Sequence, residues 1–300
     1  MKHLILTEPH HRAIENSFRD YLTIRGYSAH SVYNLPNFIR EFLHGLEQKK
    51  LSLEDITHQD IEAYFFQLEH RANHRREGGV SRCYLHKHVQ AVKLFSRYLK
   101  ETQQYFFEVD IQRHREEPAK RIILTQQEIK QLYEATDDNA LGLRDRAMLS
   151  LYYGCGLRRN EGVHVAVEDV LLDQGILYVR KGKKDKERYV PMSTGVMQDL
   201  KEYLSKRIQT EASTLLLSEK GKGLQGQSLL LRLKHLLKKA GIDKPAGLHS
   251  LRHSIATHLL QEGMSLKHIA KFLGHESLES TQVYTHIAEQ GQEQGGEYEF

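Results

Sequence analysis

Histidines, arginines and a tyrosine crowd the last fifth of this 300-residue chain: His249, Arg252 and His253 in HSLRH, His275 in LGH, Tyr284 in VYTH. Several chemistries use such residues. His249 and His253 stand four apart, like two ligands of a helical zinc site, which raises a metal-dependent hydrolase as one reading. Against it, Ser250 occupies the position of that site's general base, and Arg252 would set a cation beside the metal. The other reading uses the arginine: a guanidinium presents forked donors to phosphate oxygens, where a phosphoryl-transfer transition state gathers negative charge. Two such groups make a clamp, and Arg158 in YGCGLRRNE, just past a glycine-broken helix end, is the natural second arm. A phenol, with an ordinary pKa near ~10, attacks only when a neighbour takes its proton, and an imidazole can do so.

Taken in order, GLRRNE, a basic hairpin ending in KER, HSLRH, LGH and YTH resemble the tyrosine recombinase (phage integrase) family, its Xer-like members above all. His249, Arg252, His275 and Tyr284 fall at offsets 0, 3, 26 and 35, and this spacing carries the specificity. The resemblance covers about 122–287; over 1–111 it is one of type only. It implies a mainly α fold: an all-α core-binding (SAM-like) N-terminal domain, then an α+β catalytic domain with a small antiparallel sheet. It also implies Tyr284 as nucleophile, Arg158 and Arg252 as the clamp, His249 as general base and His275 as a further donor to the phosphate. A hairpin lysine protonates the leaving 5′-oxygen in this family. Matching back from KER selects Lys183, with Lys181, Lys184 and Lys186 as alternatives. The chain departs from the family at Gly154-Cys155 and Arg159-Asn160, where small or apolar residues and Ser are more usual, which touches packing more than chemistry.

The function so implied is site-specific DNA recombination by transesterification through a 3′-phosphotyrosine, as in a Xer-like or mobile-element integrase, with no cofactor and no metal. A non-catalytic DNA-binding relative is the other alternative, and the intact set of six residues argues against it. The partner is double-stranded DNA carrying a specific recombination site. A complete exchange breaks four strands and each chain holds one Tyr284, so the expected working unit is a homo-tetramer on DNA, with a related recombinase as hetero-partner left open.

These groups need elements to hold them. Ile14, Phe18, Tyr21 and Leu22, then Ile39, Phe42, Leu43 and Leu46, repeat at helical spacing. Thr57 suits an N-cap ahead of Ile61, Tyr64, Phe65 and Leu68. A fourth helix after Gly78 and Gly79 buries Leu85, Val89, Val92, Phe95, Tyr98 and Leu99, the aromatics read as core and not as base-stacking platforms. Its other face shows Arg82, Lys87, Lys93 and Arg97, the candidate DNA-binding residues. The polar run QRHREEPAKR, with Pro118, reads as a linker. Thr125 and Glu128 then make a capping box, Arg144–Tyr153 reads as a helix ending at Gly154, and GILYVR and ERYVP flank a basic hairpin tip. From Gly195 to Ile287 the pattern is again helical. The expected domains are thus 1–111 (helical, core- and DNA-binding), 112–121 (linker), 122–288 (catalytic) and 289–300 (a polar acidic tail). His253, His258 and His286 read as packing residues, Glu161 as a group that orients a nearby cation, and Cys155 as buried.

Charge agrees with a polyanionic partner. The net value is only +4, yet 71–100, 180–188 and 220–252 carry +7, +4 and +7, leaving −14 elsewhere. No apolar run approaches the ~18 to 20 residues of a spanning helix, and MKHLILTEPHHR is too briefly apolar for a signal peptide. Two cysteines make no disulfide framework. A cytoplasmic protein without membrane association is expected.

Overall fold

The computed structural model describes residues 4–72, 78–102, 104–105, 107–111, 121–180, 187–275 and Thr281. The chain divides into two compact units, Met1–Glu117 and Pro118–Phe300.

Among the described residues the first unit forms a cluster of four helices: α1 (Pro9–Ile24), α2 (Ala29–Lys49), α3 (His58–His70) and α4 (Arg82–Glu101). Their starts are chemically marked, with Pro9 in the first turn of α1, Ser28 and Ser81 accepting from the backbone three residues on, and a Thr57–Asp60 capping box. Phe18, Phe42, Phe95 and Leu99 are fully buried, and Phe18 meets Phe95 edge to face at 5.3 Å. The aromatic stripe is therefore core, as expected. Buried Glu41 joins α2 to α4 by accepting from the Tyr84 hydroxyl at 2.5 Å.

The second unit opens with α5 (Gln126–Glu134), started by the expected Thr125–Glu128 capping box. The next helix differs from expectation. It begins four residues before Arg144, as α6 (Ala140–Leu149), because Asn139 Oδ1 accepts from the amides of Leu141 and Gly142. It then widens into a π-helical turn, Ser150–Gly154, in which Cys155 N donates to Ser150 O at 2.9 Å. After α7 (Arg159–His164) comes a three-stranded antiparallel sheet, β1 (Val170–Leu171), β2 (Ile176–Val179) and β3 (Arg188–Pro191), in the order β1-β2-β3. Leu177, Val179 and Val190 point into the core, while cross-strand partners Tyr178 and Tyr189 stack on the outer face at 5.1 Å. The hairpin was expected; the two-residue β1 was not.

Helices α8 (Thr194–Lys206), α9 (Gly226–Lys239), α10 (Leu248–Gln261) and α11 (Leu266–Leu273) complete the unit. The return to helices from Gly195 onward is met, and between α8 and α9 residues 207–225 form a non-helical connection. There Thr214 bridges to Ala166, Leu217 bridges to Gly223, and Leu215, Leu216 and Leu217 are buried without helix. Buried Asp145 ties α6 to α9 by accepting from both Arg144 and Arg232. The fold is thus mainly α, with one small antiparallel sheet among the described residues.

Candidate active site

The HSLRH segment forms the first turns of α10. Ser250 is not positioned as a base: its hydroxyl accepts from Gly247 N at 3.1 Å and closes the start of that helix. Two residues later Arg252 is buried, 3% exposed, and donates from Nη1 to Gly156 O (2.5 Å) and from Nη2 to Leu273 O (2.7 Å). Arg158 caps α7 and donates from Nη2 to Gly274 O at 2.8 Å. Residues nearly a hundred positions apart thereby bring two guanidiniums onto successive carbonyls of the turn that leads into His275.

Glu161 lies beneath both. Its carboxylate accepts from Arg158 Nη1 (2.7 Å) and Arg158 N (2.9 Å), from Arg188 Nη1 (3.0 Å) and Nη2 (2.8 Å), and stands 3.9 Å from Arg252 Nη1. The expected orienting role is met, with three arginines in place of one cation. Gly162 follows for a steric reason: a Cβ there would lie 2.5 Å from the hydroxyl of Tyr152, which itself donates to Arg159 O. Burial alone would push the Glu161 carboxyl upward, but the bonds and charge of Arg188 and Arg158 overcome it and bring the pKa down to about 2. A depressed carboxylate stabilises the fold fully above its ordinary range and loses that contribution as pH falls toward the folded value. Glu161→Gln is therefore expected to lower the thermal midpoint at pH 7, and to flatten its decline between about pH 4.5 and 2. An unchanged acid limb in thermal scans would contradict this.

The histidines share one electrostatic setting. His275 is half-buried, and desolvation, reinforced by the Arg252 and Arg158 charges, pushes its pKa down to about 4. His253, also half-buried and beside Arg121 (Nη1 to Nδ1, 3.4 Å), is likewise lowered to about 4 by desolvation and that charge. His249 is more exposed, yet partial desolvation and then the guanidiniums of Arg252, Arg159 and Arg158 shift it the same way. All three rings are neutral at pH 7. A neutral His249 can accept a proton. His275 Nδ1 sits 2.7 Å from the hydroxyl of buried Thr281. When that hydroxyl donates, the ring proton rests on Nε2, which is the tautomer a phosphate oxygen requires.

Arg158, His249, Arg252 and His275 are thus brought together. Lys183, with its alternatives Lys181, Lys184 and Lys186, and Tyr284 and His286 lie outside the described residues, as do 112–120 and the tail 289–300. His258 keeps its packing role, buried with Nδ1 2.8 Å from the Tyr153 hydroxyl. Cys155 is fully buried, and burial pushes its thiol up to about 12, which leaves it inert. On α4, Arg82, Lys87 and Arg97 are exposed, and Arg82, Lys93 and Arg97 share a stripe from which Lys87 departs. Lys93 is partly buried, lining with Arg97 a cleft of about 390 Å³ that also contains Glu108 and Asp110. Arg188 and Thr281 escape sequence reasoning. The only signal for Arg188 is the R of KER; Thr281, three residues before Tyr284, gives none.

Among the described residues no group of three His, Cys, Asp or Glu side chains is arranged to hold a metal ion, and no helix is long and apolar enough to cross a membrane. The phage integrase family model matches residues 123–291. Tyrosine recombinase XerC 2 of Ralstonia nicotianae is 30% identical over 299 residues, covering 96% of this chain and 84% of that protein. Tyrosine recombinase XerD of Pseudomonas putida is 41% identical over 171 residues, covering 55% of this chain and 57% of that protein. The solved structure of the Tn1549 transposon integrase in complex with circular intermediate DNA shares the fold, with a TM-score of 0.72 at 17% identity over 93% of this chain and 98% of that one. The chain belongs to the phage integrase family and is a site-specific tyrosine recombinase of the Xer type.

Proposed function

We propose that this chain cuts and rejoins double-stranded DNA at a specific site through Tyr284. The Tyr284 oxygen attacks the scissile phosphorus as His249 takes its proton, the bond to the 5′-oxygen breaks, and Lys183 protonates that oxygen. A 3′-phosphotyrosine results, and a 5′-hydroxyl from a second strand reverses the step with the proton transfers exchanged. The phosphodiester bond is conserved in energy throughout, so the reaction needs no nucleotide and no metal. The observation that carries this reading is the pair of guanidiniums on the Leu273 and Gly274 carbonyls, beside a neutral His275 and a neutral His249. Such donors stabilise charge that develops on phosphate oxygens.

The domain assignment goes with it: residues 1–111 form the core-binding domain, 112–121 the linker, 122–288 the catalytic domain and 289–300 a polar tail. Four copies act together on two sites in the cytoplasm. The relatives support a DNA partner by what they are: the Tn1549 integrase structure holds DNA, and XerH was solved on a palindromic difH substrate.

The test begins with a genome-wide map of covalent protein–DNA junctions, which yields the site. A duplex of that sequence, nicked so that a short 5′ fragment is lost on cleavage, then traps the linkage for denaturing gels and peptide mapping. A tyrosyl adduct that forms equally with and without chelator supports the proposal. Chelator-sensitive cleavage with free 3′ ends overturns it in favour of the metal-dependent hydrolase.

The helical unit gives a second expectation. Neutralising Arg82, Lys87 and Arg97 together should reduce the slope of log K against log salt by about 0.9 for each phosphate no longer paired with a cation, with sequence preference unchanged. Fluorescence anisotropy across a salt series measures it, and an unaltered slope would show α4 to be a solvated face.

A further inference from the structure

The proposed clamp uses two arginines, yet the carboxylate beneath it serves three. Arg188, the first residue of β3, spends its donors on the protein itself: Nη1 and Nη2 bind the two Glu161 oxygens side by side, and Nε donates to Phe272 O at 3.3 Å. Its side chain is 11% exposed, against 29% for Arg158. The turn is shaped around it. Gly274 sits at φ +66, and a Cβ there would lie 2.9 Å from Arg188 Cδ. Arg188 is thus built into the floor of the site and not offered to a ligand.

A carboxylate has about four lone-pair positions, and at Glu161 four donors fill them. Oε1 accepts from Arg158 Nη1 and Arg188 Nη1; Oε2 accepts from Arg158 N and Arg188 Nη2. Without Arg188, a buried carboxylate would be left with two unfilled positions, and the nearest replacements are the clamp itself. Arg252 Nη1 is only 3.9 Å from Oε2 and would have to leave Gly156 O, while Arg158 could chelate both oxygens only by leaving Gly274 O.

We propose that Arg188 is a positioning residue for strand cleavage, saturating Glu161 so that the carboxylate does not compete with the scissile phosphate for Arg158 and Arg252. This rests on the recombinase reading above. Its particular consequence is that the harm done by losing Arg188 comes from the Glu161 charge, so removing that charge should undo part of it.

The experiment measures single-turnover cleavage of the mapped, nicked duplex, with binding by anisotropy and folding by circular dichroism. Arg188→Met is expected to slow cleavage at least 30-fold while affinity stays within about threefold. Arg188→Lys, whose single ammonium reaches one oxygen at a time, should fall between it and wild type, and also keeps the test open should the Met variant fold poorly. Arg188→Met combined with Glu161→Gln should recover at least tenfold over Arg188→Met alone. Wild-type rates in Arg188→Met overturn the proposal, as does a slow double variant that is folded, which would make Arg188 merely structural. A wild-type protein that forms no adduct overturns instead the recombinase reading, and the two failures are distinct.

Discussion

Tyr284→Phe is expected to abolish the covalent protein–DNA adduct, lowering strand cleavage by ~10⁴-fold or more, the scale on which enzymes fail when a covalent nucleophile is removed. Affinity for the duplex should change little, because one hydroxyl is lost and neither the basic face of α4 nor the arginine clamp is touched. The separation of the two quantities makes the measurement decisive: unchanged anisotropy titrations beside an empty denaturing gel. An adduct that persists in the variant would move the nucleophile to another of the 15 tyrosines, and peptide mapping would identify it.

Arg158→Ala should slow cleavage by ~10² to 10³-fold, the usual cost of removing one preorganised donor from a developing oxyanion. Arg158 and Arg252 are expected to differ in a second respect. Arg158 is partly exposed, whereas Arg252 is buried and its loss leaves the carbonyls of Gly156 and Leu273 without those donors. Each orphaned buried acceptor costs about 1 to 3 kcal/mol. Arg252→Ala should therefore lower the thermal midpoint markedly, and Arg158→Ala much less. Equal destabilisation with equal rates would mean that the two groups are structural in the same way. Arg158→Lys retains a charge without a planar fork, and its rate should stay nearer to that of Ala than to wild type.

What the sequence reveals and what it hides follow from the range of the interactions. Capping boxes at Thr57–Asp60 and Thr125–Glu128 involve residues three apart, and both are readable as helix starts. Asn139 caps α6 by the same chemistry, but the apolar pattern points to Arg144, a buried charge whose carboxylate partner is its neighbour Asp145. Strand β1 has two residues, too few for alternation to register, and exists because β2 is already there to pair with it. Leu215, Leu216 and Leu217 are consecutive and carry no period, so the pattern does not tell a buried non-helical segment from a piece of helix there. At the site, motif spacing is enough to assemble Arg158, His249, Arg252 and His275. The saturation of Glu161 by Arg188 joins positions 27 apart across two elements, and no local pattern announces it.

The π-helical turn at Ser150–Gly154 bears on how this protein tolerates change in length. Its wider ladder accommodates one residue more than an α-helix of the same rise, and Gly156, whose carbonyl holds Arg252, lies two positions beyond it. Deleting a residue here would let the helix relax to ordinary geometry and improve its own hydrogen bonding. Because one π turn and the α turn that would replace it have nearly the same rotation and rise, the Gly156 carbonyl would stay close to the guanidinium, whereas a deletion in the α-helical part of α6 would turn everything downstream by about 100°. The turn thus absorbs a change of one residue that a plain α-helix would pass on to the site. A one-residue deletion between 150 and 154 is therefore expected to disturb cleavage less than one between 140 and 149, and single-turnover rates of the two deletion variants check it.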